Sequence, residues 1–336
     1  MRKVGIMSMQ RIANYGSFLQ AYALKQLIEE VGCNVEFVDY HVGAPVIVEN
    51  ADSKNKVVRK IKKGLETFRY RAPLAHKLSF IRYKQSFAQK YMPLLGIADE
   101  MNYNPTVDCL VIGSDEVFNC IQKNSNVGYS PELFGKNNHA KKLITYAASF
   151  GNTTLVKLEK YKKTDEVGAL LKKFDAISVR DANSGAIVEQ LTGKEPLYNL
   201  DPVLTYDYMN CCDKIPQVQT NEKYLILYAY AGRISNEEAD WISDYAKKKK
   251  LKVYAIGGIQ KCADRFVDCS PFEVLAYFRN AEEVITDTFH GSIFSVITHR
   301  PFTTLIRKSV GNSYGNEEKL SDLLKRLKLA DRMTTK

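Results

Sequence analysis

Short apolar runs, separated by stretches of helical period, recur along most of this chain. Residues 4–9 read as a first buried strand, and 11–16 as a polar loop. Phe18, Leu19, Tyr22, Leu24, Leu27, Ile28 and Val31 then recur at helical spacing. Ser17 and Gln20 stand at the interval of a capping box, and Gly32 supplies the stop. Residues 35–40 read as the second strand. No glycine-rich dinucleotide fingerprint occurs in this unit, which disfavours a nicotinamide cofactor. Further buried strands are expected at 109–112, 143–148 and 176–179, each running into polar residues: 113–119, 149–151, and Arg180 with Asp181. Strands that finish together in polar loops are the pattern of one edge of a parallel sheet, where ligands bind.

Residues 207–222 show no period and read as a linker. A second α/β set follows. Strands are expected at 225–228 and 253–256, with capping boxes at Ser235/Glu238 and Ser270/Glu273. Residues 284–294 form an apolar strand, a polar turn carrying one histidine, and the start of another helix. An amphipathic helix is expected at 319–329. The pattern predicts an α/β protein of two Rossmann-like domains facing a cleft, with parallel sheets and a C-terminal helix. The N-terminal domain would span 1–206, with a helical insertion at 54–92, and the C-terminal domain 223–336.

Length agrees, since 336 residues exceed a usual single core. Composition changes the picture in one place. The net charge is +10, but between Lys54 and Met92 twelve Lys and Arg stand against one acid, Glu66. That excess of +11 leaves the rest of the chain at −1, and it points to an anionic partner. No run of eighteen apolar residues and no signal-peptide pattern occurs, so a cytoplasmic protein is expected. Seven cysteines show no metal or disulfide spacing, and no metal site is expected. His290 follows an apolar strand and opens a helix, where it would titrate near neutral pH beside N–H groups that welcome an anion. A capping or core histidine is an equal reading of that spacing.

Several blocks together carry a resemblance. Residues 14–24 (NYGSFLQAYAL), 113–119 (GSDEVFN), 146–151, 178–181, Asp201-Pro202 and 286–291 (TDTFHG) resemble, in order, the motifs of the polysaccharide pyruvyl transferase family. The resemblance spans roughly residues 4–330, on the order of the whole chain. It implies a glycosyltransferase-B-like fold and transfer of pyruvate from phosphoenolpyruvate onto two sugar hydroxyls. The product would be a cyclic ketal, with release of phosphate and no cofactor beyond phosphoenolpyruvate as co-substrate. This chain departs from the family at Phe118, commonly tryptophan, at Thr288, arginine in some branches, and at Lys319, usually arginine. Arg307, Lys308 and Arg11 are candidate substitutes for the missing cations.

On this alignment His290 is the expected acid, with Asp287 orienting it or holding the turn. Arg180, Thr288, Gly291, Ser292 and Lys319 would bind the donor; for Arg180 the alternative is a pair with Asp181 or an exposed acid. Asn14, Tyr15, Gly16, Gln20, Ser114, Asp115, Phe118 and Asn119 would bind the acceptor. That acceptor would be a sugar of a cell-surface glycan or of its lipid-linked precursor. The basic segment would then form a helix with Lys56, Arg59, Lys60, Lys62 and Lys63 on one side, touching an anionic membrane. Phe68, Tyr70, Phe80, Ile81, Tyr83 and Phe87 would extend its apolar content. A helical hairpin against the core is the competing reading, and no nucleic acid is expected. Competing functions are a glycosyltransferase using a nucleotide sugar, hinted at only by Gly257-Gly258, and a non-catalytic glycan-binding or regulatory relative.

Overall fold

The structure, a computed structural model, describes residues 1–47, 66–103, 105–122, 126–308 and 316–335. The helix expected over 56–65 lies outside the described residues. The chain divides into two compact units. The first holds 1–12, 17–49 and 92–207; the second holds 13–16, 50–91 and 208–336. The loop 13–16 and the helical part of the basic segment thus group with the second unit, away from their neighbours in sequence.

In the first unit β1 (Lys3–Met7), β2 (Asn34–Phe37), β3 (Cys109–Asp115), β4 (Lys142–Ala148), β5 (Ser178–Val179) and β6 (Leu197–Tyr198) form one sheet. Its order is β2-β1-β3-β4-β5-β6, and all its pairs are parallel. Helices α1 (Tyr15–Glu30), α3 (Leu155–Lys160), α4 (Thr164–Leu171) and α5 (Ala182–Thr192) connect them, while α2 (Leu74–Tyr91) belongs to the second unit. Phe118, Phe134 and Phe150 stack in the core of the first unit, Phe118 lying 4.7 Å from Phe134 and 5.2 Å from Phe150. Helix α1 starts two residues before the expected box. Asn14 Oδ1 accepts the Gly16 amide at 2.7 Å, so Asn14 performs the capping. Ser17 and Gln20 turn to other partners.

The second sheet holds β7 (Tyr224–Tyr228), β8 (Lys252–Ile256), β9 (Arg265–Phe266), β10 (Glu283–Thr286), β11 (Phe302–Ile306) and β12 (Met333–Thr335). Its order is β12-β11-β10-β7-β8-β9, again parallel throughout. All five residues of β7 are buried, as a central strand with helices on both faces requires. Both expected capping boxes form at the starts of α6 (Asn236–Lys249) and α7 (Pro271–Asn280). Helices α8 (Phe289–Ile297) and α9 (Glu317–Arg326) complete the unit. Among the described residues no helix is long and apolar enough to cross a membrane.

Candidate active site

In the second sheet the strand order reverses between β7 and β10, and an open parallel sheet binds ligands outside the carboxyl ends flanking such a reversal. Strand β10 ends there in Asp287 and Thr288. Thr288 is extended (φ −120°, ψ 150°), and its Oγ1 accepts the Gly291 amide at 2.9 Å, capping α8. Thr286 donates to the Tyr228 carbonyl at 2.7 Å, tying β10 to β7. Ser292, fully buried, bonds Thr304 at 2.9 Å, and a Cβ on Gly291 would run into the Thr286 and Thr288 hydroxyls. Thr288, Gly291 and Ser292, expected to touch the donor, also build the turn. What the turn presents is His290, half-buried, at the second position of α8. Its ring lies 5.6 Å from that of Phe289 and 6.0 Å from that of Phe294. The backbone of Gly16 lies against it so closely that any Cβ there would overlap the imidazole.

Asp287 is fully buried. Its Oδ2 accepts from Arg307 Nε at 3.3 Å and its carbonyl accepts from Asn316 at 2.8 Å, while Oδ1 has no hydrogen-bond partner among the described residues. Burial pushes its pKa up, against the pull of Arg233 and Arg307. Arg307, just past β11, also forks onto Glu238, Nη1 and Nη2 donating to its two oxygens at 3.1 and 3.2 Å. Glu238 is in turn the third residue of α6, accepting the Ser235 amide at 2.8 Å. Arg233 leaves β7 by the next turn and lies 4.3 Å over the ring of Tyr230. The Tyr230 hydroxyl accepts from Asn14. One carboxyl edge thus gathers a histidine, two arginines, two carboxylates and an amide. Among the described residues no group of His, Cys, Asp and Glu could hold a metal ion.

The first sheet reverses between β1 and β3, and polar residues gather at that edge too. Arg180 donates from Nη1 to Asp201 at 2.7 Å and from Nη2 to Asp115 at 3.3 Å. Asp181 caps α5 and accepts from Ser149 at 2.6 Å, and its charge is among those that act on Arg180. Ser17 donates to Asp115 at 2.9 Å, Gln20 donates to Ser8 at 2.9 Å, and Ser8 donates to the Ser114 carbonyl at 3.0 Å. Gln20 and Ser114 are both fully buried.

A model of the family described as Polysaccharide pyruvyl transferase matches residues 14–309. The chain belongs to this family. The pyruvyl transferase is therefore an enzyme that moves a pyruvyl group from phosphoenolpyruvate to sugar hydroxyls, on two Rossmann-like units of glycosyltransferase-B-like fold. No curated protein matches the sequence. Among solved structures, the UDP-GlcNAc 2-epimerase of Methanocaldococcus jannaschii is similar with a TM-score of 0.50 and 10% identity, over 100% of this chain and 89% of that one. The S. aureus MnaA–UDP co-structure has a TM-score of 0.48 and 11% identity, over 99% and 92%. The epimerase likeness shows the fold alone.

Within the transferase, several residues expected to contact ligand have partners inside the fold. Phe118 is fully buried among other rings. Tyr15 is a buried bolt that donates to the Cys269 carbonyl at 2.9 Å, and burial holds its phenol pKa well above the ordinary value. The Gln20 amide serves Ser8 and Ser17. Asn119 bonds Glu116 and Thr153, each at 2.9 Å. Arg11 grips Asp39 with both arms of its fork, at 2.6 and 2.7 Å. Lys319 is half-buried on α9, and Lys308 is exposed. Arg233 and Tyr230 were not anticipated. Their only signal in the sequence is their place within five residues of a strand's carboxyl end, and Glu238 read simply as a cap.

Proposed function

We propose that the enzyme joins pyruvate to two hydroxyls of one sugar as a cyclic ketal, and that the second unit carries the donor. The observation behind this reading is His290 held at the start of α8, at the sheet reversal, with Arg233 and Arg307 on adjoining turns. His290 gives its proton to the methylene carbon of phosphoenolpyruvate, and C2 gains oxocarbenium character. A sugar hydroxyl adds to C2 and returns its proton to His290. Phosphate then leaves with the C2–O bonding pair, and the second hydroxyl closes the ring, its proton passing to phosphate. Arg233 and Arg307, with the N-terminus of α8, hold the donor's phosphate and carboxylate. Asp287 fixes Arg307 from within the core. Asn14, which bonds Tyr230 in the same unit, is our candidate for acceptor contact.

The acceptor in this reading is a glycan precursor linked to lipid, and the enzyme works at the inner face of the membrane. The charge excess of +11 in the segment 54–92 supports that location. Phosphoenolpyruvate should stabilise the protein in thermal unfolding, as any ligand of the native state does, and nucleotide sugars should not. A glycoside acceptor should gain one pyruvate for each phosphate released. Stabilisation by a nucleotide sugar, with no phosphate released from phosphoenolpyruvate, would favour a glycosyltransferase instead.

A further inference from the structure

Helix α2 is held by one face. Phe80 and Tyr83 meet Phe266 at 5.6 and 6.2 Å, and Phe87 meets Tyr15 at 5.7 Å. These rings recur at i, i+3 and i+7, a single stripe, and all three are buried. They belong to the core of the second unit and are not open to a membrane. Leu74 and Leu78, one turn apart on the opposite side, are 62% and 52% exposed, and exposed Arg82 follows one turn later. The short helical stretch 66–69, before α2, brings up Phe68, 46% exposed. Lys77 donates to the Phe68 carbonyl at 2.9 Å, which fastens this residue beside the first turn of α2. Arg69, in that stretch, and Arg71, in the bend that follows it, are exposed. Single exposed apolar residues are ordinary, but three within eleven residues, with exposed arginines interspersed along the same stretch, mark a contact surface.

We propose that Phe68, Leu74 and Leu78, with Arg69, Arg71 and Arg82, dock on an anionic lipid bilayer. Charge chooses the occupant. From Lys54 to Met92 twelve cations stand against one acid, Glu66, and although Asp268 acts on Arg82 and Lys90, the balance of charge along the segment stays strongly positive. Three apolar side chains form too small a core for a stable protein interface. They suffice for insertion at the headgroup boundary, where apolar contact and cations act together. The proposal deepens the membrane location given above and does not depend on the reaction.

The test uses the full chain, sedimented with phosphatidylglycerol-containing vesicles and with pure phosphatidylcholine vesicles, at low and high salt. The protein should partition to anionic vesicles at least about tenfold better, and high salt should weaken this. Leu74→Ser with Leu78→Ser, and separately Arg69→Gln, Arg71→Gln and Arg82→Gln together, should each reduce binding about tenfold. Both variants should keep parental turnover on a soluble acceptor. Equal binding to both vesicle types, or unchanged binding by the leucine variant, would overturn the proposal. So would displacement by an RNA oligonucleotide with the leucine variant behaving as parent, which would reveal a generic polyanion site. Loss of docking with turnover intact leaves the reaction standing, and docking without ketal formation does the reverse.

Discussion

Each sheet ends in an arginine held between two carboxylates, and the two differ in burial. Arg180 lies between Asp201 and Asp115 with 3% of its side chain exposed; Arg307 lies between Asp287 and Glu238 with 21% exposed. The first is closed off further by the chain of bonds through Ser17, Gln20, Ser8 and Ser114. A guanidinium so enclosed balances buried carboxylates, and its removal leaves them uncompensated. One that is partly open can balance its partners and still present N–H groups to an anion. Residue type and position on the sheet are the same in both, so burial is what separates a structural cation from a candidate ligand contact.

The largest effect should come from breaking the closed trio. Arg180→Ala should lose about 3–5 kcal/mol of stability in urea unfolding, the scale for removing one partner of a buried ion pair. If the variant unfolds like the parent but loses affinity for phosphoenolpyruvate, Arg180 is a donor contact and the contrast with Arg307 disappears. His290→Ala should keep the parental unfolding curve and lower turnover by roughly a hundredfold or more, the scale of a lost general acid. Parental turnover in that variant would remove the histidine from the chemistry.

The open trio should respond differently. Arg233→Gln and Arg307→Gln should each weaken phosphoenolpyruvate binding by about 1.5–3 kcal/mol, the range for a charged hydrogen bond. Arg307→Gln should also lose stability, because Asp287 and Glu238 both lean on it. Arg233→Lys should recover only part of the affinity, since an ammonium cannot reproduce a fork. Donor titrations that overlay for all three variants and the parent would move the donor site away from this edge.

How far the sequence was legible follows the same line. Central strands such as β7 and β10 stood out because strands covered on both faces read as unbroken apolar runs. Strands β9 and β12, two and three residues long, are too short to show any period. Two capping boxes formed as their spacing predicts, but Ser17 and Gln20 share that spacing and do not cap. Asn14 starts that helix earlier, and the pull of Asp115 and Ser8, distant in sequence, decides the rest. Motif blocks name turns without showing which side chains face outward. Phe118 and Tyr15 lie in such blocks and are buried, while Arg233 lies outside the quoted blocks and stands beside Asp287.

The finest distinction between the two edges concerns the carboxylate beneath Arg307. Burial raises the pKa of Asp287, and Arg233 and Arg307 only partly offset it. The native state therefore keeps a proton that the unfolded chain has already released. When the native state binds more protons, stability falls as pH rises. That fall begins near the ordinary carboxylate value, about 3.9, and is complete once pH has passed the raised native value. Asparagine does not titrate, so Asp287→Asn should lack this decline, whatever it loses in its contact with Arg307. Unfolding free energies measured by urea between about pH 4 and pH 8 should show the variant gaining on the parent as pH rises. Two parallel curves would mean that the arginines hold Asp287 ionised throughout. The second trio would then be a settled ion-pair network like the first, and exposure alone would distinguish them.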